Sequence, residues 1–192
     1  MPLGANKVAL LGSSGVVTDT SILLATDNFA GSSSVEFTLP TAYKQVVFGF
    51  INWTGTTDGG TLSFQVSTDG STYTTTITST TFSAIHNESN TVATLAYRAG
   101  QDQAQGTGEQ DLFNDHGNDA DMGSAGRLTV FNPSSTTYVK NWYFRGSPSK
   151  SNPAAADYNY SGYFNTTTAL STIRFKPSAG TMSGTIKMWG VL

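Results

Sequence analysis

Cysteine is absent from the 192-residue chain, which excludes a disulfide framework, a thiolate zinc site, an iron–sulfur cluster and a cysteine nucleophile. Charge is scarce too: Asp, Glu, Lys and Arg make up 12% of residues, against a usual share of about 25%. The net charge of -3 offers no basic footprint for nucleic acid. Long apolar runs are also missing. Within residues 1–30 the run Val8-Ala9-Leu10-Leu11 falls short of the about 7–15 residues of a secretory h-region and the about 20 of a membrane helix. Neither a secretion signal nor membrane insertion is expected. What the chain does hold is 20 glycines, 11% aromatics, and Ser plus Thr at roughly a quarter of all residues. Few charges with many aromatics argue for a packed core rather than disorder. Threonine and aromatics together are the composition of β-strands.

A two-residue period begins at residue 34, where Val35, Phe37 and Leu39 alternate with polar residues before Pro40. Residues 45–53 are apolar on both parities, the mark of a central strand covered on both faces. Leu62, Phe64 and Val66 alternate with Ser63, Gln65 and Ser67, and Asp69-Gly70 predicts a tight hairpin with a return strand over 73–77. Further strands are predicted over 128–131, 138–144, 158–164, around Ile173 and Phe175, and over 184–192, with a short helix around 91–97. About eight to ten short strands at this spacing predict an all-β, antiparallel β-sandwich of jelly-roll type. Residues 1–30 read as an N-terminal arm: an edge strand or loose terminus on one reading, a segment docked on a neighbouring subunit on the other. Residues 31–192 form one domain. Its central stretch 98–126 is polar, nearly empty of core residues, and predicted to be one long loop.

The chemistry the chain offers is thin. Asp102, Glu109, Asp111, Asp115, Asp119 and Asp121 crowd the central stretch, but their spacing does not match a calcium loop with a closing glutamate. They read as a solvated loop. No carboxylate pair stands out for hydrolysis, and the two histidines, His86 and His116, lie in polar stretches without a nucleophile elbow. No catalysis, cofactor or metal site is assigned. Aromatic side chains are the remaining candidates, since their flat faces stack on sugars or on a second subunit. Trp53, Tyr73 and Tyr143 belong to this group. Trp142, Tyr158, Tyr160 and Tyr163 are the candidate glycan or subunit contacts, with Tyr158 and Tyr160 on one face of a strand. Each can equally be a core or cross-strand partner.

The stretches 63–73 (SFQVSTDGSTY), 128–136 (LTVFNPSST) and 161–167 (SGYFNTT), with Ile173-Arg174-Phe175 and the closing 183–190 (SGTIKMWG), resemble a family of small tailed-bacteriophage virion proteins. The likeness spans roughly residues 34–192. Its most specific element is the closing Ser-Gly-Thr-Ile-Lys, where Trp189 stands in place of the tyrosine of many relatives. The resemblance implies a virion component, either a capsid decoration or cement protein or a part of a tail fibre, and it carries no catalytic motif. The expected partners are copies of the chain itself, as a homo-oligomer and most simply a homotrimer, and other virion proteins. A carbohydrate- or receptor-binding adhesin tip, recognising a host surface glycan through exposed Tyr and Trp, is the alternative.

Overall fold

Alternating side chains build strands here from end to end: the computed structural model describes residues 21–192 and, among them, thirteen strands and no helix. In chain order these are β1 (Ser21–Ser32), β2 (Val35–Thr38), β3 (Gln45–Gly55), β4 (Gly60–Ser67), β5 (Ile77–Asn87), β6 (Ala93–Tyr97), β7 (Ala104–Gly106), β8 (Gln110–His116), β9 (Ser124–Phe131), β10 (Lys140–Ser147), β11 (Ala154–Phe164), β12 (Thr172–Pro177) and β13 (Met182–Val191). They form two antiparallel sheets. The larger has the order β1-β13-β3-β9-β10-β11-β5-β6, with β7 also paired to β5; the smaller has the order β2-β12-β4-β8.

The pairing is nested. The first described strand lies beside the last (β1–β13), β2 beside β12, β3 beside β9, and β4 beside β8. Strands β10, β11, β5 and β6 continue the larger sheet past β9, so it outreaches the smaller one.

Aromatic rings hold the sheets together. Phe175 of β12 lies 5.3 Å from Phe48 and 5.2 Å from Phe50, both on β3. Phe113 of β8 meets Phe144 at 5.2 Å and stacks on Trp53 at 5.8 Å. Phe64 of β4 meets Trp142 edge-on at 5.2 Å. Most of these pairs are edge-to-face, the arrangement favoured by the ring quadrupole. The buried Trp53 indole N–H donates to the Met182 sulfur at 3.3 Å.

Four expectations change. First, residues 45–53 are covered on one face only. Val46, Phe48, Phe50 and Trp53 point into the core, whereas Ile51 is 43% exposed. The inward series skips a residue because Asn52, at φ 49°, bulges the strand and shifts its register against β9. Second, Asp69-Gly70 makes a turn but no hairpin. Ser67 Oγ accepts from the Gly70 N–H at 2.9 Å and Asp69 Oδ1 accepts from the Thr72 N–H at 2.7 Å. Both flanks of β4 are taken by β12 and β8, so the chain leaves for the other sheet and resumes as β5. Third, the expected helix around 91–97 is strand β6. A turn at Asn87–Asn90 brings it back antiparallel to β5, and its register with β5 is unbroken. Fourth, the stretch 98–126 is not one long loop. It holds β7, β8 and the start of β9, and it buries Leu112, Phe113 and His116.

The arm divides as well. Residues 21–30 belong to edge strand β1, and residues 1–20 lie outside the described residues.

Phe175 touches Phe37, Phe48, Phe50 and Phe64, so its removal leaves a void between the sheets. Phe175→Ala should lower the urea unfolding free energy by about 3–5 kcal/mol. Phe175→Leu should cost clearly less, and equal losses for the two would contradict a ring-filled interface.

Candidate functional site

Three of the four aromatic candidates face inward, which corrects their assignment as glycan or subunit contacts. Trp142, Tyr158 and Tyr160 are each 2% exposed. Trp142 packs between Phe64 and Phe164, and Tyr158 stacks on Tyr160. The Tyr160 hydroxyl donates to Gln101 Oε1 at 2.9 Å, and burial pushes its pKa upward. Their faces are taken by their own chain. Tyr163, one residue out of phase with Trp142's cross-strand partner Gly162, looks outward and is half-buried. Tyr143, between Trp142 and Phe144, is likewise on the outer face and exposed. Of the others, Trp53 is core, and the Tyr73 ring carries the Arg174 guanidinium at 4.1 Å.

The acidic stretch is less wet than expected. Asp115 accepts from Lys150 Nζ and from Ser151 Oγ, each at 2.5 Å. Burial raises its carboxyl, and these two donors more than offset that, holding it below its ordinary value. Glu109 pairs with Arg174 at 2.6 Å. Asp111 is half-buried against Ser63, and burial pushes its carboxyl up. Asp119 and Asp121 are exposed. Among the described residues no three His, Asp or Glu side chains gather as metal ligands. His86 is exposed on β5, while His116 is buried at the end of β8 against Trp53 and Ser124. Lys140, which shares its parity with Trp142 and Phe144, is buried with them. Its ammonium donates to the carbonyls of Thr166 (3.1 Å) and Thr168 (2.6 Å), and burial lowers its pKa.

The outer face of the larger sheet carries what remains. The small sheet packs on its other side, and grooves run across the outer side from β13 to β6. At one end, Trp189, Tyr143, Gln45, Thr129 and Arg127 line a groove across β13, β3, β9 and β10. At the other end the sheet overhangs. Opposed pairs Phe82–Tyr97 and Ala84–Leu95 join β5 to β6, and Leu95 is 74%, Tyr97 56% and Phe82 48% exposed.

Edge strands are normally guarded against pairing with another chain, and three edges here are. β1 has two bulges and places Asp27 opposite the core residue Ile186, on the inward side. β2 is four residues long, carries Glu36, and is followed by Pro40. β8 has two register shifts and carries Asp111 and Asp115. β6, with the sequence ATLAY, has no charge, proline or bulge.

No family model matches the chain, and no curated protein matches it.

The buried histidine makes stability pH-dependent. Burial holds the His116 imidazole below 6.5, partly opposed by the charge of Asp58. As pH falls, the unfolded chain takes up this proton first, so stability decreases from about pH 6.5 downward. Asp115 and Asp157, both held below 3.8, add a second loss below about that pH. His116→Gln should flatten the urea midpoint between pH 6.5 and 5 and leave the more acidic fall intact. An unchanged slope in the variant would contradict this assignment.

Proposed function

We propose that the chain is a non-catalytic structural protein of a bacteriophage virion, jelly-roll in fold, that assembles as a homo-oligomer. It would sit on the capsid as a decoration or cement protein, or in the tail or fibre apparatus. The observation that carries the assembly reading is the overhanging, unguarded β6. An uncharged edge with exposed Leu95 and Tyr97 is a template for another chain, and it gains burial by being covered.

The jelly-roll reading is supported by the strand order. With β5–β7 and β10–β11 set aside as additions, eight strands remain. They pair first with eighth, second with seventh, third with sixth and fourth with fifth. Double-sheet jelly rolls of eight strands serve both viral capsids and lectins. The expected trimer needs a heterologous contact, in which β6 of each copy meets a different surface of the next and the ring closes. An isologous contact of β6 with itself gives a dimer instead.

A second reading, sugar binding, is favoured by one observation: Trp189 and Tyr143 line an outer-face groove beside hydrogen-bonding side chains. The groove replaces the buried residues Trp142, Tyr158 and Tyr160 as the place for such contact.

Light scattering on the full chain tests the assembly reading. The wild type should be oligomeric at micromolar concentration, and Leu95→Asp should weaken association at least tenfold while leaving the fold unchanged. A wild type that stays monomeric into the millimolar range would remove the reading. Electron microscopy of the particle then separates capsid from tail.

A further inference from the structure

We infer that the groove around Trp189 on the outer face of the larger sheet binds an acidic saccharide, with Trp189 as the stacking surface and Arg127 and Lys187 as carboxylate anchors. The inference rests on the sugar-binding reading above and specifies its ligand.

The groove is built around a missing side chain. Trp189 on β13 lies opposite Val47, and its six-membered ring reaches diagonally over Gly49. A Cβ at residue 49 would stand 2.8 Å from Trp189 Cζ3 and 3.0 Å from Cη2, so any larger residue would displace the indole. The same glycine is flanked by cations. Its cross-strand neighbours are Lys187 on β13 and Arg127 on β9, whose backbones are therefore about 10 Å apart, two strand spacings. Trp189 and Arg127 line the groove together with Gln45, Val47, Thr129 and Tyr143 among others, and Lys187 lies outside that lining, two residues before Trp189 on the same face of β13.

The charges ask for a counterpart. Among the described residues neither Arg127 nor Lys187 forms an ion pair. Asp157, on the same face, is already held by Arg145 through three hydrogen bonds of 2.8–3.2 Å. Two unpartnered cations beside an aromatic ring, on a chain of net charge -3, are complementary to a ligand with an apolar face and a carboxylate. Uronic and sialic acid residues have both. The pyranose C–H face meets the negative face of the indole, and a guanidinium grips a carboxylate through two parallel hydrogen bonds.

The molecule supplies its own reporter. Trp53 and Trp142 are buried to 2% exposure or less, so Trp189 is the tryptophan that solvent reaches. Titration of the full-length protein with tetragalacturonate, followed by tryptophan fluorescence and calorimetry, should shift the emission and protect it from acrylamide quenching. Trp189→Ala and Arg127→Gln should each weaken binding at least tenfold, with no fall in melting temperature for Arg127→Gln, an exposed site that faces another arginine. Maltotetraose, the neutral comparison, should bind at least tenfold more weakly. Equal binding of the two sugars would overturn the acidic specification and leave sugar binding standing. Binding of neither sugar in the millimolar range would remove both. Binding of the acidic sugar that survives Trp189→Ala, or that vanishes at about 0.15 M salt, would reduce the groove to diffuse charge attraction. A change of oligomeric state in Arg127→Gln would make the face a contact between copies and overturn the proposal.

Discussion

Pairing between strands far apart in the chain is the constraint on which the structure depends, and the pairing of β1 with β13 is its outermost case. That pairing brings residues 21–32 against residues 182–191, and the pairings β2–β12, β3–β9 and β4–β8 are enclosed by it in the chain. Closing such a loop is entropically unfavourable before any contact is gained. Topologies dominated by distant pairings fold slowly for that reason. What offsets the cost is the aromatic layer between the sheets, where Phe175, near the chain end, sits against Phe48, Phe50 and Phe64 from the first third. Distant segments are thus held both by backbone ladders and by the same few rings.

Nesting also explains the unequal sheets. The segments inserted between β4 and β8 and between β9 and β12 contribute β5, β6, β7, β10 and β11, all to the larger sheet. The smaller sheet gains nothing, so the larger one runs past its cover. β5 still buries Ile77, Thr81 and Ser83 toward the inside, but one strand further on Thr94 of β6 is exposed. The overhang follows from strand count alone. Its apolar sequence is what turns an architectural remainder into a surface that would gain from association.

Strands were legible in the sequence wherever one parity was apolar and the other polar. Val35-x-Phe37, Leu128-x-Val130 and Ile173-x-Phe175 all lie where alternation puts them. The inward side was not legible where both parities carried large rings. In β10 and β11, Trp142 and Tyr160 face the core while Tyr143 and Tyr163 face out, and a two-residue period says only that the sets oppose each other. The inward parity shared by Trp142, Phe144, Tyr160 and Phe164 was the available signal, since phenylalanine has no polar handle to leave in water. β8 was hidden because only Leu112 and Phe113 are apolar within it. Both are buried because register shifts against β4 break the alternation. The helix expected around 91–97 gives way to β6 because five residues are too few for either period to declare itself. Its identity comes from the β5 ladder.

Scarce charge acquires a different meaning once the cations are located. Lys150, Arg174 and Lys176 stand near carboxylates, and Lys140 is buried against carbonyls. Arg127, Arg145 and Lys187 share the outer face of the larger sheet, at neighbouring register positions on β9, β10 and β13. Arg127 and Arg145 even lie directly opposite each other, an arrangement that is unfavourable in a sheet and is relieved here by Asp157. Stability alone would disperse these charges. Arg145 has its carboxylate, whereas Arg127 and Lys187, on either side of a glycine that makes room for an indole, form no ion pair among the described residues. An arrangement that costs stability in the isolated chain is accounted for when something negatively charged lies across it. The uncharged β6 edge at the far end of the same sheet meets the opposite condition, since covering it desolvates few polar groups beyond backbone that a ladder satisfies. One sheet face therefore presents two surfaces of different chemistry, with β11 lying between the groove over β13, β3, β9 and β10 and the exposed apolar pairs of β5 and β6.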